Sequence, residues 1–389
     1  TRPPPARPAV RQAVPIAPLL VPEGAAAEPV GPAGAARPPA LARITSAPST
    51  CGSSAGISSP GLNSPALSDA SFGSIRSPGA GWTVDVRTHA PELGEEIAGK
   101  EQPFDPAVVS SYSCHGVEPG RNGTQDKINQ DCAIVSHPYC ADPLCAFFGV
   151  FDGHGQDGEV VSTAVMDFVV ADLEARLLRD VQISAAISQA YEAANVHLAR
   201  EHFKHANHSG ACAATVLLHG HRMWTANAGD CRVVMGVRRG GKLEALRLSV
   251  DHKPDDPSEM QRVQACGAHV SPGKTDPFEP ARLYRDKHKL RLGPGLAMSR
   301  CLGDLFDENA GVICTPTVGY YELGADPSCE ELFVVLASDG VWEHLEDLTV
   351  VEMVEGFHGQ GKPADLACTN VIARSAVAWR MAEGNYRDD

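Results

Sequence analysis

At 389 residues and 41.1 kDa, the chain has room for one large domain or two ordinary ones, each able to bury a sizeable core. Its formal charge of −15 argues against a nucleic-acid backbone as partner, and no apolar run approaches the roughly 20 residues of a membrane-spanning helix. Twelve cysteines are scattered along the chain without zinc-ligand spacing, even at Cys140 and Cys145, so reduced and mostly buried thiols of a cytoplasmic or nuclear protein are expected.

Two kinds of polypeptide are joined. Residues 1–100 hold 16 of the 30 prolines and are nearly neutral, with 8 Lys+Arg against 7 Asp+Glu, whereas residues 101–389 carry 25 against 41. The stretch 1–80 is Pro-rich, then Ser/Gly-rich, and almost without aromatic residues. Such a composition cannot bury enough apolar surface to offset its ordering entropy, so 1–100 is read as a disordered tail. Ser59-Pro60, Ser64-Pro65 and Ser77-Pro78 within it read as linker composition that also offers candidate phosphorylation sites. Ordered structure is expected to begin between 81 and 109.

From there strands and helices come in runs. The short apolar segment 146–151 predicts a buried strand, and 159–178 and 184–204 predict two consecutive amphipathic helices. Segments 215–219, 223–228 and 232–237 predict an antiparallel meander, followed by a helix over 258–266. An irregular basic stretch, 271–294, precedes an apolar strand at 332–337 and helices at 345–355 and 364–381. Runs of each type imply an α+β fold with antiparallel sheets rather than alternating βαβ units.

Carboxylates recur at the ends of these apolar strands: Asp131 ahead of 133–135, Asp152 after 146–151, Asp230 in the turn before 232–237, Asp339 after 332–337, and Asp388 at the chain end. Ionised Asp in such positions needs cationic partners, and hard divalent ions with oxygen ligands supply them. Gly153-His154-Gly155-Gln156-Asp157-Gly158 matches a dinucleotide-binding turn literally. The context excludes that reading, because the helix after it leads into a second helix and not into a parallel strand. A calcium loop fails too, since its third position is His154 and its sixth is Asp157.

Asn-Gln-Asp (129–131), Phe-Asp-Gly-His-Gly (151–155), Ser-Gly-Ala-Cys-Ala (209–213), Ala-Asn-Ala-Gly-Asp-Cys-Arg (226–232), Asp-His-Lys-Pro (251–254), Leu-Ala-Met-Ser-Arg-Cys-Leu-Gly-Asp (296–304), Leu-Ala-Ser-Asp-Gly-Val-Trp (336–342) and Arg-Asp-Asp (387–389) stand in that order. Together they resemble the metal-dependent type 2C protein serine/threonine phosphatases, over roughly residues 108–389. The resemblance implies an αββα sandwich of two antiparallel sheets flanked by helices, with 101–389 as the catalytic domain and a final strand expected beyond Asp389. It implies Mg²⁺ or Mn²⁺, two ions and a looser third. Asp152 would bridge the pair, Asp339 and Asp388 would complete the first site, and the Gly153 carbonyl would serve the second. Asp131 would hold metal-associated water, Asp230 would bind the third ion, and His154 would be the general acid.

Asp126 stands where many members carry a phosphate-gripping Arg, and Lys127 beside it is the candidate substitute. Gln130 and Glu343 occupy two further positions where members commonly place other carboxylates, and Cys212 one where they place a small hydroxyl. The implied activity is hydrolysis of phosphoserine or phosphothreonine in protein substrates by a monomer, without a covalent phosphoenzyme. The rival reading is a catalytically weak relative that binds phosphoproteins or scaffolds a complex.

Overall fold

A computed structural model describes residues 86–89, 109–120, 123–179, 181–271, 273, 280–286 and 295–389, all within one compact unit, Arg76–Asp389. The tail apart from 86–89, its three Ser-Pro pairs and most of the basic stretch 271–294 lie outside the described residues. The first strand, β1 (Val86–His89), falls inside the window where the sequence places the start of order.

Chain order continues with a hairpin, β2 (Val117–Gly120) and β3 (Gly123–Asp126), then β4 (Cys132–Ser136) and β5 (Cys145–Gly155). Helices α1 (Gly158–Leu177) and α2 (Ile183–Glu201) and a single turn, α3 (Phe203–Ala206), lead to β6 (Ser209–His219), β7 (Arg222–Ala228), β8 (Arg232–Arg239) and β9 (Lys242–Arg247). After α4 (Pro257–Ala265) come β10 (His269–Ser271), β11 (Arg282–Tyr284), β12 (Leu302–Gly303), β13 (Thr317–Glu322) and β14 (Cys329–Ala337). Helices α5 (Asp339–Trp342), α6 (Asp347–His358) and α7 (Ala364–Glu383) close the chain.

Two sheets result. One has the order β1-β4-β5-β6-β7-β13, with β12 also on β6; the other is β14-β8-β9. Every pairing in them is antiparallel except β1 with β4, which runs parallel. The predicted meander is therefore corrected. β6 and β7 form a hairpin in the large sheet, but β8 pairs with β9 and β14 in the small one. The turn at Gly229-Asp230 is where the chain crosses between the sheets, and that crossing brings an acidic residue to the mouth of the sandwich.

Side-chain alternation along the strands builds three apolar layers. On β6, Ala211, Ala213 and Leu217 face α1 and α2, while Cys212, Ala214 and Val216 face the second sheet. On β8, Val233, Met235 and Val237 fill the space between the sheets, and Val234 turns outward to meet α5, α6 and α7. Helix α1 presents Val161, Val165, Met166, Val169 and Leu173 at helical spacing to the first layer. At α4, Pro257 sits in the first turn and the Asp256 carboxylate accepts the Ser258 amide at 2.9 Å, a standard start for a helix. The sandwich thus holds its strand ends rigidly at one edge, where the carboxylates lie.

A candidate metal centre at the sheet edge

Asp131, Asp152, Asp230 and Asp339 each follow, precede or end an apolar strand. β5 delivers Asp152, Gly153 and His154; the crossing turn delivers Asp230; β14 runs through Ser338 into Asp339 at the first residue of α5. Asp131 stands just before β4. Arg387 bridges to Val117 of β2 through two backbone hydrogen bonds of 2.9 Å, which anchors Asp388 beside the same edge.

Carboxylate oxygens of Asp152, Asp230 and Asp339 lie within 4.8 Å of one another. Asp131 joins from the side, its Oδ2 accepting the Ser338 hydroxyl at 2.7 Å. Gly153 sits where any side chain would strike the Gly158 carbonyl and come within 2.5 Å of the Gln130 carbonyl, so only glycine lets β5 pass this close. Asp388 stays outside the tight trio: Lys127 Nζ donates to it at 2.5 Å and lies over the Tyr386 ring.

Crowded like charges set the electrostatics. Desolvation, then the charges of Asp131 and Asp339, push the Asp152 carboxyl well above the ordinary range. Asp339 is raised for the same reason, with Asp230 and Asp388 as its neighbours. Asp131 is pushed up to about 7 by desolvation and Asp389, against the opposing Ser338 hydrogen bond. Asp230 behaves differently. Desolvation would raise it, but Lys253 Nζ at 2.6 Å and the Cys212 thiol at 3.1 Å hold it below the usual carboxylate range. A cluster of hard oxygen donors whose mutual repulsion calls for positive charge could hold a metal ion.

His154 meets Asp304 Oδ2 through Nε2 at 2.5 Å, and the Cys301 thiol donates to the same oxygen at 3.2 Å. Its Nδ1 is buried and has no hydrogen-bond partner among the described residues. Desolvation alone would lower the imidazole, but Asp304 outweighs it and raises its proton affinity. Gly210 makes the pairing possible, since a side chain there would collide with Asp304 and stand 2.7 Å from His154 Nε2. Asp304 itself adopts φ 45°, a left-handed conformation held by its amide on the Ser209 carbonyl at 2.9 Å.

The trio Asp152, Asp230 and Asp339 is therefore brought together, Asp131 and His154 adjoin it, and Lys127 and Asp388 pair with each other. Asp126 is exposed on β3. Gln130 uses its side-chain amide on the Gly155 carbonyl at 2.9 Å and on Glu159 at 3.1 Å. Sequence reasoning assigned no role to Asp304, Lys253 or Asp389. Asp389 accepts the amides of Gly116 at 2.6 Å and Gln130 at 3.0 Å, locking the chain end against the site. Asp304 and Lys253 stand inside quoted motifs, so position in a motif was the available signal.

Comparison with known proteins agrees with this geometry. Residues 116–383 match the family profile of protein phosphatase 2C. The chain is 34% identical over 302 residues to "Probable protein phosphatase 2C 35" of Arabidopsis thaliana, covering 72% of this chain and 81% of that protein. It is 32% identical over 277 residues to "Probable protein phosphatase 2C 48" of Oryza sativa subsp. japonica, covering 65% and 75%. Among solved structures, the serine-threonine phosphatase 2C from Toxoplasma gondii superposes with TM-score 0.57 at 23% identity, over 71% of this chain and 91% of that one, a likeness of fold.

Proposed function

Because the chain belongs to the protein phosphatase 2C family, we propose that it hydrolyses phosphoserine and phosphothreonine in protein substrates, using Mg²⁺ or Mn²⁺ and forming no covalent phosphoenzyme. The observation that carries this reading is the convergence of Asp152, Asp230 and Asp339 within 4.8 Å. Asp152, Asp339, Asp388 and the Gly153 carbonyl would hold two ions, Asp131 would sit beside them, and Asp230 would face a third. Such ions supply Lewis-acid polarisation of the phosphoryl group and acidify the attacking water near neutral pH.

The chain's own groups do the rest. Strand ends fixed in three apolar layers hold the carboxylates in place without reorganisation during reaction. His154, whose proton affinity Asp304 raises, would offer a proton from Nδ1 to the departing serine or threonine oxygen. Lys127 balances Asp388 and adds positive charge near an incoming phosphate. The buried thiols Cys212, Cys231 and Cys301 around the site support a reducing compartment, cytoplasm or nucleus, for a monomeric enzyme. The rival reading, a phosphoprotein-binding relative with little turnover, draws on the engagement of Lys127 by Asp388, which competes with a phosphate for that ammonium.

Phosphate release from a phosphothreonine peptide, with a phosphotyrosine peptide alongside, tests the proposal. Release that requires Mn²⁺, stops with chelator and is lost in Asp339→Asn is the expected result. Folded wild type that binds the phosphopeptide and releases nothing would replace it with the binding-protein reading.

A further inference from the structure

Lys253 is the cation that sets Asp230 apart from the other carboxylates. Its ammonium donates to Asp230 Oδ2 at 2.6 Å and stands 3.8 Å from Glu343 Oε2. The second Asp230 oxygen accepts the Cys212 thiol at 3.1 Å, so both oxygens of this carboxylate are already engaged inside the protein. The lysine is not a stray surface arm. Its neighbour His252 is almost wholly buried and is tied to the crossing turn twice: its amide donates to the Gly229 carbonyl at 2.9 Å, and its Nδ1 accepts the Gly229 amide at 3.2 Å. Its Nε2 meets Thr317 Oγ1 at 2.8 Å, and its carbonyl accepts the Ser299 amide at 2.8 Å. The backbone preceding Lys253 is therefore pinned to the residue preceding Asp230. Asp230, Asp339 and Glu343 keep the ammonium charged despite its desolvation.

We infer that Lys253 is a built-in cation of the cleft, so that a divalent ion reaches the Asp230–Glu343 side only by displacing its ammonium. The inference rests on reading the Asp152–Asp339 cluster as a divalent-metal centre. It separates the carboxylates into two groups. Among the described residues Asp152, Asp339 and Asp131 make no ion pair and would draw ions from solution, whereas Asp230 holds the Lys253 ammonium at 2.6 Å and Glu343 lies 3.8 Å from it. Two ions then satisfy the resting protein, and a third binds weakly because it must expel a positive charge at hydrogen-bond distance from its ligand.

The test is Mn²⁺ binding to the full chain, followed by calorimetry and by the electron paramagnetic resonance signal of free Mn²⁺. Lys253→Met is expected to gain an Mn²⁺ event absent from wild type, or to tighten the weakest event roughly tenfold or more, equivalent to about 1.4 kcal/mol. Lys253→Arg, which keeps the charge, is expected to titrate like wild type, and adding Asp230→Asn to Lys253→Met removes the gain. Folded Lys253→Met with unchanged stoichiometry and affinities overturns the inference and leaves the metal centre standing. Wild type that binds no Mn²⁺ overturns both this inference and the proposed function. Where Lys253→Met is too unstable to purify bare, its melting temperature against Mn²⁺ gives the same answer: a rise larger than that of wild type supports the displaced cation, and no rise beyond wild type overturns it.

Discussion

Two desolvated carboxylates, Asp152 on β5 and Glu259 on α4, meet opposite electrostatic fates. Glu259 on α4 accepts Arg300 Nε and Nη2 at 3.0 and 2.6 Å, the Ser299 hydroxyl at 2.6 Å, and Arg262 as well. Desolvation would raise it, but these donors hold it down to about 2. Among the described residues Asp152 has no ion-pair partner, and Asp131 and Asp339 crowd it instead. Burial by itself does not mark function. What marks it is a buried charge whose compensation the protein does not provide, because that deficit is filled by something from outside.

The largest effect is expected at the deficient end. Asp339→Asn removes one of the crowded charges, so it should raise the melting temperature of the metal-free protein while abolishing its stabilisation by Mn²⁺. Turnover of a phosphopeptide should fall by about 10²–10³-fold or more, the scale of losing one group that stabilises the transition state. Thermal melts with and without Mn²⁺ check this, and a metal-free melting temperature below that of wild type would break the comparison.

The compensated end should answer in the opposite sense. Glu259→Gln leaves the partly buried Arg300 and Arg262 without their anion and should cost about 3 kcal/mol of stability in urea unfolding, with activity per folded molecule unchanged. The pH dependence has a definite sign. Glu259 has a folded pKa of about 2 against 4.5 ordinarily, so its contribution is complete above 4.5 and is lost as pH falls through about 2. The gap between wild type and Glu259→Gln should therefore close over that window. A gap that stays constant down to pH 2 would assign the loss to packing rather than charge.

The smallest effect is expected at Asp304, which belongs to both kinds of region: its own charge is met by His154, yet the pair serves the cleft. Asp304→Asn should slow release from phosphothreonine peptides by roughly 10–100-fold, the cost of a lost partner behind a reacting group. It should slow an aryl phosphate, whose leaving oxygen needs no proton, much less. Equal losses on both substrates would make Asp304 a purely structural residue.

Much of this was legible before any coordinates. The apolar run 146–151, the helical spacing of α1 and α2 and the strand at 332–337 read correctly because burial on one or both faces leaves a periodic trace. That Asp152, Asp230 and Asp339 lie together agrees with their places beside apolar strands, where an ionised carboxylate needs a cationic partner. The crossing of β7 and β8 between sheets was not legible, since a tight Gly-Asp turn looks the same whether the next strand pairs with its predecessor or leaves it.

The amino-acid sequence alone determined the long helices and the most apolar strands, the carboxylates beside those strands, and the family to which the ordered motifs point. Those properties are local, set by side-chain periodicity and short motifs. Only the tertiary structure decided how the charges are matched: Lys253 on Asp230 across 23 residues, His154 on Asp304 across 150, and Lys127 on Asp388 across 261. Coulombic compensation depends on distance in space, which the chain acquires when two sheets close over a shared core, and no pattern along the sequence carries it.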